Sequence, residues 1–418
     1  MTDFVHTSDL PTIGWVTGLI LSILIALPLG VHSSDCKQIQ LKTDSVKTLL
    51  QSFAPEYPDF YDFDNGIFGW ISRKDMEKEA SLNIIDHDGN ILYSKDCSWR
   101  AYNIDIFDNG QKALVSYRLS EFLYEHEIID LSVKHLIRTF RTKSLIKPSE
   151  KGSYFCSVFD IASSLGPEIY DSIGQKLASL PYRSDFWPMT PLGDSSFLLL
   201  DANVLRQYSC PGMEIIFEKT LNQLNTESFM RNIATSPDGN FCAVYNSDSI
   251  VVLDLVNDRQ YVLPGTHPEI LVGDLILLSN NGRYLSDITY TDTPSHPWIK
   301  VYNLTSDGYK LGLSISNLPI AYKIINPAQS NCYLYNDMLL TYFHCWPMAD
   351  RPYMEYYSAL IRLDQGTSGA NPYFFTNNIL VPYMDGGDLN CLGMVFGKND
   401  NCNVAAEYHD KYRIDLRR

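Results

Sequence analysis

The sequence is short of positive charge: 33 Lys and Arg stand against 49 Asp and Glu, for a formal net charge of −16. A field of that sign repels phosphate backbones and argues against nucleic acid as a partner. Common catalytic motifs are missing as well. There is no G-x-S-x-G nucleophile elbow, no Walker loop, no G-x-G-x-x-G and no H-E-x-x-H. Nine cysteines run from Cys36 to Cys402 without one C-x-x-C pair, so neither a zinc knuckle nor a thioredoxin-like motif is written. The odd number leaves at least one thiol unpaired within the chain. Cys332 with Cys345 and Cys391 with Cys402 are candidate disulfides if the domain is exported, and most of the others read as small buried apolar residues. Nine histidines are dispersed too. Glu125-His126-Glu127 flanks one with acids, but adjacent strand positions point to opposite faces, which argues against a metal site. His344-Cys345 is a thiol beside an imidazole by composition only, since sequence neighbours rarely form a catalytic pair.

Long hydrophobic runs are scarce. The single one, Ile13 to Val31, has 19 uncharged residues, enough for a spanning helix. Two functional readings stay open. As a retained single-pass anchor it has Trp15 at one interface. As a cleaved signal peptide it has Pro28 as a helix breaker and Val31-His32-Ser33 before a cut at Ser34. The segment before the run has no Lys or Arg and carries Asp3 and Asp9, whereas Lys37, Lys42 and Lys47 follow it. For an anchor, the positive-inside rule then puts the large domain in the cytoplasm; cleavage makes it secreted or periplasmic. A buried core helix is the bland alternative. Residues 1–12 read as a tail, 13–31 as anchor or signal peptide, 32–56 as a linker and 57–418 as the folded domain.

What the sequence does have is a repeat. Phe63-Asp64-Asn65-Gly66 recurs 44 residues later as Phe107-Asp108-Asn109-Gly110. Similar turns end at Gly152, Gly193, Gly239, Gly282, Gln329 and Gly387, giving steps of 42, 41, 46, 43, 47 and 58. Each precedes a run rich in Val, Ile, Tyr and Phe, the residues that favour strands. Asn-Gly and Asp-Gly accept positive φ, and Pro presets φ at the second position of a turn, so each site predicts a hairpin. A second signal falls later in most units, an apolar run ending in Asp or Asn: Ile84-Ile85-Asp86, Ile128-Ile129-Asp130, Ile169-Tyr170-Asp171, Val252-Leu253-Asp254, Val301-Tyr302-Asn303 and Arg413-Ile414-Asp415.

The stretch Asp86-His87-Asp88-Gly89-Asn90 has the start of an oxygen-ligand spacing for calcium. It aligns, however, with Asp171-Ser172-Ile173-Gly174-Gln175, where the D-x-x-G frame survives and the oxygen at the Asp88 position is lost. A hairpin corner explains both. The spacing predicts that Asp86 and Asp88 accept hydrogen bonds from nearby backbone amides.

Four short strands per unit of 40 to 45 residues make a propeller blade. The pattern resembles WD40-like and TolB-like β-propellers, most closely at Ser236-Pro237-Asp238-Gly239 followed by Val251-Val252-Leu253-Asp254-Leu255; no G-H…W-D pair is present. The resemblance implies an all-β propeller over roughly Tyr57 to Arg418. It implies about eight four-stranded blades, or seven if the ends share one, preceded by one N-terminal hydrophobic helix. The strand-like Tyr412–Leu416 would close the ring. The step of 58 points to an insertion at Phe343–Tyr357, and Asp287–Trp298 reads as a second stretch standing off the blade edge. Trp346, Arg351, Tyr353, Tyr356 and Tyr357 in the insertion are candidate partner-binding residues, because exposed aromatics with an Arg among them are usual interface anchors; capping a blade edge is their structural alternative. The expected function is a membrane-tethered scaffold for a protein or peptide, with no cofactor and no catalysis. The alternative is an exported propeller enzyme, a hydrolase or lyase of carbohydrate or small ester, holding calcium in its channel.

Overall fold

A computed structural model of the chain describes residues 60–75, 79–88, 90–158, 166–182, 187–224, 232–246, 249–265, 275–288, 299–315, 333–335, 338–345, 355–363, 372–376, 378–385 and 388–395. Within them the strands pair into seven four-stranded antiparallel sheets and one two-stranded sheet, each with its strands in chain order. The four-stranded sheets span residues 60–98, 101–142, 146–179, 189–220, 232–264, 275–315 and 333–376; the two-stranded one spans 378–395. The apolar run Ile13–Val31 and the expected closing strand Tyr412–Leu416 lie outside the described residues. Among the described residues no helix is long and apolar enough to cross a membrane.

The sheets meet through their first strands. Phe60–Asp64 lies against Ala101–Phe107, and contact passes on through Ile146–Pro148, Met189–Leu192, Asn232–Thr235, Leu275–Leu278 and Tyr333–Tyr335. Asn378–Asp385 touches both the third strand of the seventh sheet and Phe60–Asp64, so the ring closes. Four-stranded sheets set radially around a ring are a β-propeller.

The sequence repeat is the loop between the first and second strands. Ser149, Ser236 and Ser279 are buried at its start in the third, fifth and sixth sheets. In each, the backbone of Gly152, Gly239 or Gly282 donates to the serine carbonyl at 2.9–3.0 Å, and the serine hydroxyl accepts from the amide two residues after the glycine. The glycines have φ of 74°, 69° and 61°. Close approach also demands glycine at two of them. A Cβ on Gly152 would sit 2.4 Å from Phe107 of the preceding sheet, and one on Gly282 would sit 2.6 Å from Phe241. These turns therefore lie together on one side of the ring, as the repeat predicts.

The phase slips in the seventh sheet. Its first hairpin turns between Tyr335 and Met338, not at Asn326–Gln329, which lies outside the described residues. The repeat places a strand after the turn ending at Gln329, yet Tyr333–Tyr335 is the strand that precedes the hairpin turn. Phe343–Tyr357 is likewise not one stand-off loop. Phe343 to Cys345 end the second strand, Glu355 to Tyr357 open the third, and Phe343 pairs with Tyr357. Residues 346–354 between these two strands, and 316–332 before the sheet, lie outside the described residues. Asp287 and Ile288 also belong to a strand, Tyr284–Ile288, and Asp287 is buried.

The core lies between sheets. Ile71, Leu82 and Ile84 of the first sheet mesh with Ile104, Val115 and Ile129 of the second. Leu198 and Leu205 of the fourth mesh with Cys242, Val244 and Val251 of the fifth. Middle strands have neighbours on both faces, so Ser196–Asp201, Phe241–Tyr245 and Ser249–Asp254 are buried at every position. Each such Leu, Ile or Val contributes roughly 1.5–3 kcal/mol by leaving water. Fourth strands lie at the rim, where the sheets diverge, and are mostly exposed.

Candidate functional site

The carboxylates of the turn face bind their neighbours. Asp64 Oδ2 accepts from the Gly110 amide at 2.9 Å, and Asp238 Oδ2 accepts from the Asn281 amide at 2.8 Å. Asp194 Oδ1 accepts from the Lys151 amide and the Ser149 and Ser153 hydroxyls at 2.7–2.9 Å. Burial pushes the Asp194 and Asp238 carboxyls up, but these donors outweigh it and hold both below their ordinary value. The acids of this face are ties between successive sheets.

The corner at Asp86 resolves the same way. Asp86 Oδ1 accepts from the amides of Asp88 and Asn90 at 3.0 and 2.8 Å, and Asn90 Nδ2 donates to Oδ2 at 2.9 Å. Asp171 makes the matching pair of bonds with Ile173 and Gln175. Asp88 departs from expectation: its carboxylate lies exposed, 3.7 Å from His87 Nε2, rather than on a backbone amide. Among the described residues no three His, Cys, Asp or Glu side chains converge where a metal ion would sit.

The third strand of the second sheet, Leu123–Asp130, carries the Glu-His-Glu triplet and sends its members apart, as alternation requires. His126 is fully buried, with Nδ1 2.9 Å from Ser116 Oγ and Nε2 2.7 Å from Thr142 Oγ1. Burial lowers its pKa to about 3, so the ring is neutral. Glu127 points the other way, to Lys95 Nζ of the first sheet at 2.8 Å and to the Tyr117 hydroxyl at 2.7 Å. Glu125 holds Arg141 at 2.8 Å. The thiols are also quiet: Cys97, Cys156, Cys210 and Cys242 are free, and burial pushes Cys97 and Cys210 up to about 11 and Cys242 to about 12.

One acidic pair sits on the inner strands. Asp62 of the first sheet accepts from the Ile106 amide at 2.6 Å, close to Asp105 of the second. Burial, then the charge of Asp105, raises Asp62 well above its ordinary value. Burial pushes Asp105 up to about 7, against the pull of Lys147. Asn103 Nδ2 donates to Asp105 at 2.7 Å.

Of the expected binding residues, Trp346, Arg351 and Tyr353 lie outside the described residues. Tyr356 and Tyr357 lie in the strand Glu355–Arg362, opposite His344 and Phe343, rather than in a loop. The described surface offers something else. Fourth strands carry exposed aliphatics around the ring: Ile137, Leu177, Ile215, Ile216, Val262 and Leu311, each 41–56% exposed. Hairpin tips beside them add Val133 and Val256 at 68% and 69%. A chemical outlier sits among them. Residues 131–149 hold five Lys or Arg and no carboxylate, in a chain dominated by acids. Motif searching misses this signal, because it consists of absent acids rather than of a pattern.

No protein-family model matches the chain, and no curated protein matches it in sequence. Solved structures do match in fold. Kluyveromyces lactis Hsv2 with its loop 6CD replaced by a Gly-Ser linker is 9% identical at a TM-score of 0.51, over 77% of this chain and 98% of that one. The β-propeller domain of Cps50 (Swd1) from Myceliophteria thermophila is 10% identical at a TM-score of 0.44, over 71% of this chain and 95% of that one. At such identities the likeness is one of fold, and the fold is a WD40-like β-propeller.

Proposed function

We propose that this chain is a propeller scaffold that binds a protein or peptide partner and is tethered to a membrane by residues 13–31. One observation carries the reading: among the described residues the acids of the turn face and the buried His126 and Glu127 are spent on joining strands and sheets, whereas aliphatic side chains stand in solvent along the outer strands. Apolar groups displayed on a rigid scaffold suit an interface. Trp346, Arg351 and Tyr353, with Tyr356 and Tyr357 on the adjoining strand, are the proposed anchors. Once a partner is captured by crosslinking to the full chain, Trp346→Ala is expected to weaken its binding by about 2 kcal/mol with the melting temperature unchanged. A stability loss of roughly 3–5 kcal/mol instead would make Trp346 a core residue and end its role as an anchor. Deleting residues 13–31 should release the chain from the membrane fraction; retention would remove the tether.

The enzyme alternative has one observation in its favour, the raised pair Asp62 and Asp105 on adjacent inner strands. It expects an excess of calcium to raise the melting temperature, and Asp62→Asn to abolish the rise. The scaffold reading expects neither.

A further inference from the structure

The fourth strand of the second sheet, His135–Thr142, pairs on one side with Leu123–Asp130 and has no strand on its other side among the described residues. Its outer N–H and C=O groups are therefore a template for a further strand. Its chemistry differs from that of its counterparts. The fourth strands of the other sheets neutralise their cations: Lys95 with Glu127, Lys176 with Glu168, Lys219 with Asp258 and Lys310 with Asp307, all at 2.6–3.1 Å. Arg259 in the fifth sheet is the exception among described residues. In the second sheet, Arg141 is held by Glu125, but His135, Arg138 and Lys143 are exposed and make no ion pair with any described residue.

The basic side chains flank the edge on both faces. Arg138 lies opposite Ile128 and His135 opposite Asp130, on the face that carries Phe140 against His126. Arg141, opposite Glu125, lies on the other face, and Lys143 continues that alternation beyond the strand. A register shift between Ile128 and Ile129 leaves Ile137 without a cross-strand partner, and its side chain is 51% exposed. Charged edges commonly keep strands from pairing by accident. A basic edge repels other basic strands and attracts an acidic one; of the neighbouring carboxylates, Glu125 is taken by Arg141, and none is paired with Arg138 or Lys143 among the described residues.

Building on the scaffold reading, we infer that this edge is a docking site for an extended, acidic peptide segment, which adds as a fifth strand. The backbone would supply the ladder, Arg138 and Lys143 would each meet a carboxylate, and Ile137 would cover an apolar side chain. A peptide strand fits better than a phosphate polyanion, because the open edge offers backbone N–H and C=O groups at strand spacing, which a peptide backbone can pair with in a ladder and a phosphate backbone cannot.

The probe is a ten-residue peptide of Glu-Glu-Val-Val repeats (Glu-Val below), which puts carboxylates on both faces of an added strand, labelled for fluorescence anisotropy with the full chain. Three companions accompany it: the Lys-Val peptide, a Glu-Val peptide N-methylated at alternate amides, and the chain variant Arg138→Glu/Lys143→Glu. The site predicts that Glu-Val binds, that Lys-Val does not, and that both N-methylation and the double variant weaken binding by about tenfold or more. The variant's melting temperature should match the parent's, since both side chains are exposed. The inference is overturned if Glu-Val does not bind, if the N-methylated peptide binds equally, or if the double variant binds normally. Equal competition by single-stranded RNA or by phosphatidylserine vesicles would also overturn it in favour of a general anion surface. The two readings fail separately: a partner lost with Trp346→Ala but kept by the double variant leaves the scaffold standing and removes only this edge.

Discussion

Val251 and Val262 face each other across one pair of strands in the fifth sheet, yet Val251 is fully buried and Val262 is 51% exposed. The step from third to fourth strand takes the chain from core to rim, and the same step recurs around the ring. Inside it, sequence answers to geometry: serines, glycines and carboxylates return at the same places because each turn must meet the next. Outside it the constraint lapses, and the units diverge. Leu177, Ile216 and Leu311 occupy rim strands that share no motif, and among the described residues the rim of the second sheet holds Arg138 and Lys143 without an ion pair. Divergence on a repeated scaffold is where recognition can differ from blade to blade.

The contrast can be broken at several depths. Gly152→Ala should cost most, about 3 kcal/mol, because φ is 74° and the new Cβ would meet Phe107 at 2.4 Å; chemical denaturation measures it. A loss under 0.5 kcal/mol would mean the turns are not locked together. Asp194→Ala removes the acceptor of three hydrogen bonds and should cost about 1–3 kcal/mol, whereas trimming the exposed Asp88 by the same change should cost almost nothing.

Acid tests the buried groups with opposite signs. His126 has a folded pKa of about 3 against an ordinary 6.5, so its contribution is complete above pH 6.5 and falls by up to about 1.4 kcal/mol per pH unit below it. Asp105 sits at about 7 against an ordinary 3.8, so its contribution is complete below pH 3.8 and is lost as pH rises to 7. The two partly cancel between pH 4 and 6.5. Asp105→Asn should therefore raise the melting temperature at pH 8 and steepen its fall toward pH 5. An unchanged pH profile would contradict the raised carboxyl. The rim is as tolerant as the exposed Asp88: Val262→Ser should stay within about 0.5 kcal/mol of the parent.

How much of this could be read beforehand follows the same division. Ser236-Pro237-Asp238-Gly239 announces its hairpin because positive φ, a buried serine and a carboxylate reaching Asn281 can be supplied by few residues. The metal-like corner at Asp86 was legible as a turn because Asp171 repeats its hydrogen bonds without the extra oxygen. The seventh sheet runs out of phase with the repeat because Asn336 and Asp337, the two residues that join Tyr335 to Met338, include neither Gly nor Pro, while Asn326-Pro327 has the sequence of a turn. Tyr356 and Tyr357 fall in a strand that the same missing turn signal hides in the sequence. The basic edge left no local pattern at all, since an exposed strand needs no periodicity to be stable.

Hydrogen exchange of the isolated full chain, resolved by strand, tests the division most directly. The account predicts slow exchange in the second and third strands of every described sheet and fast exchange along the outer edges of the fourth strands, with His135–Thr142 among the fastest. Fourth strands as protected as the middle ones in the isolated chain would mean the rim is already covered, and would contradict a scaffold that displays it.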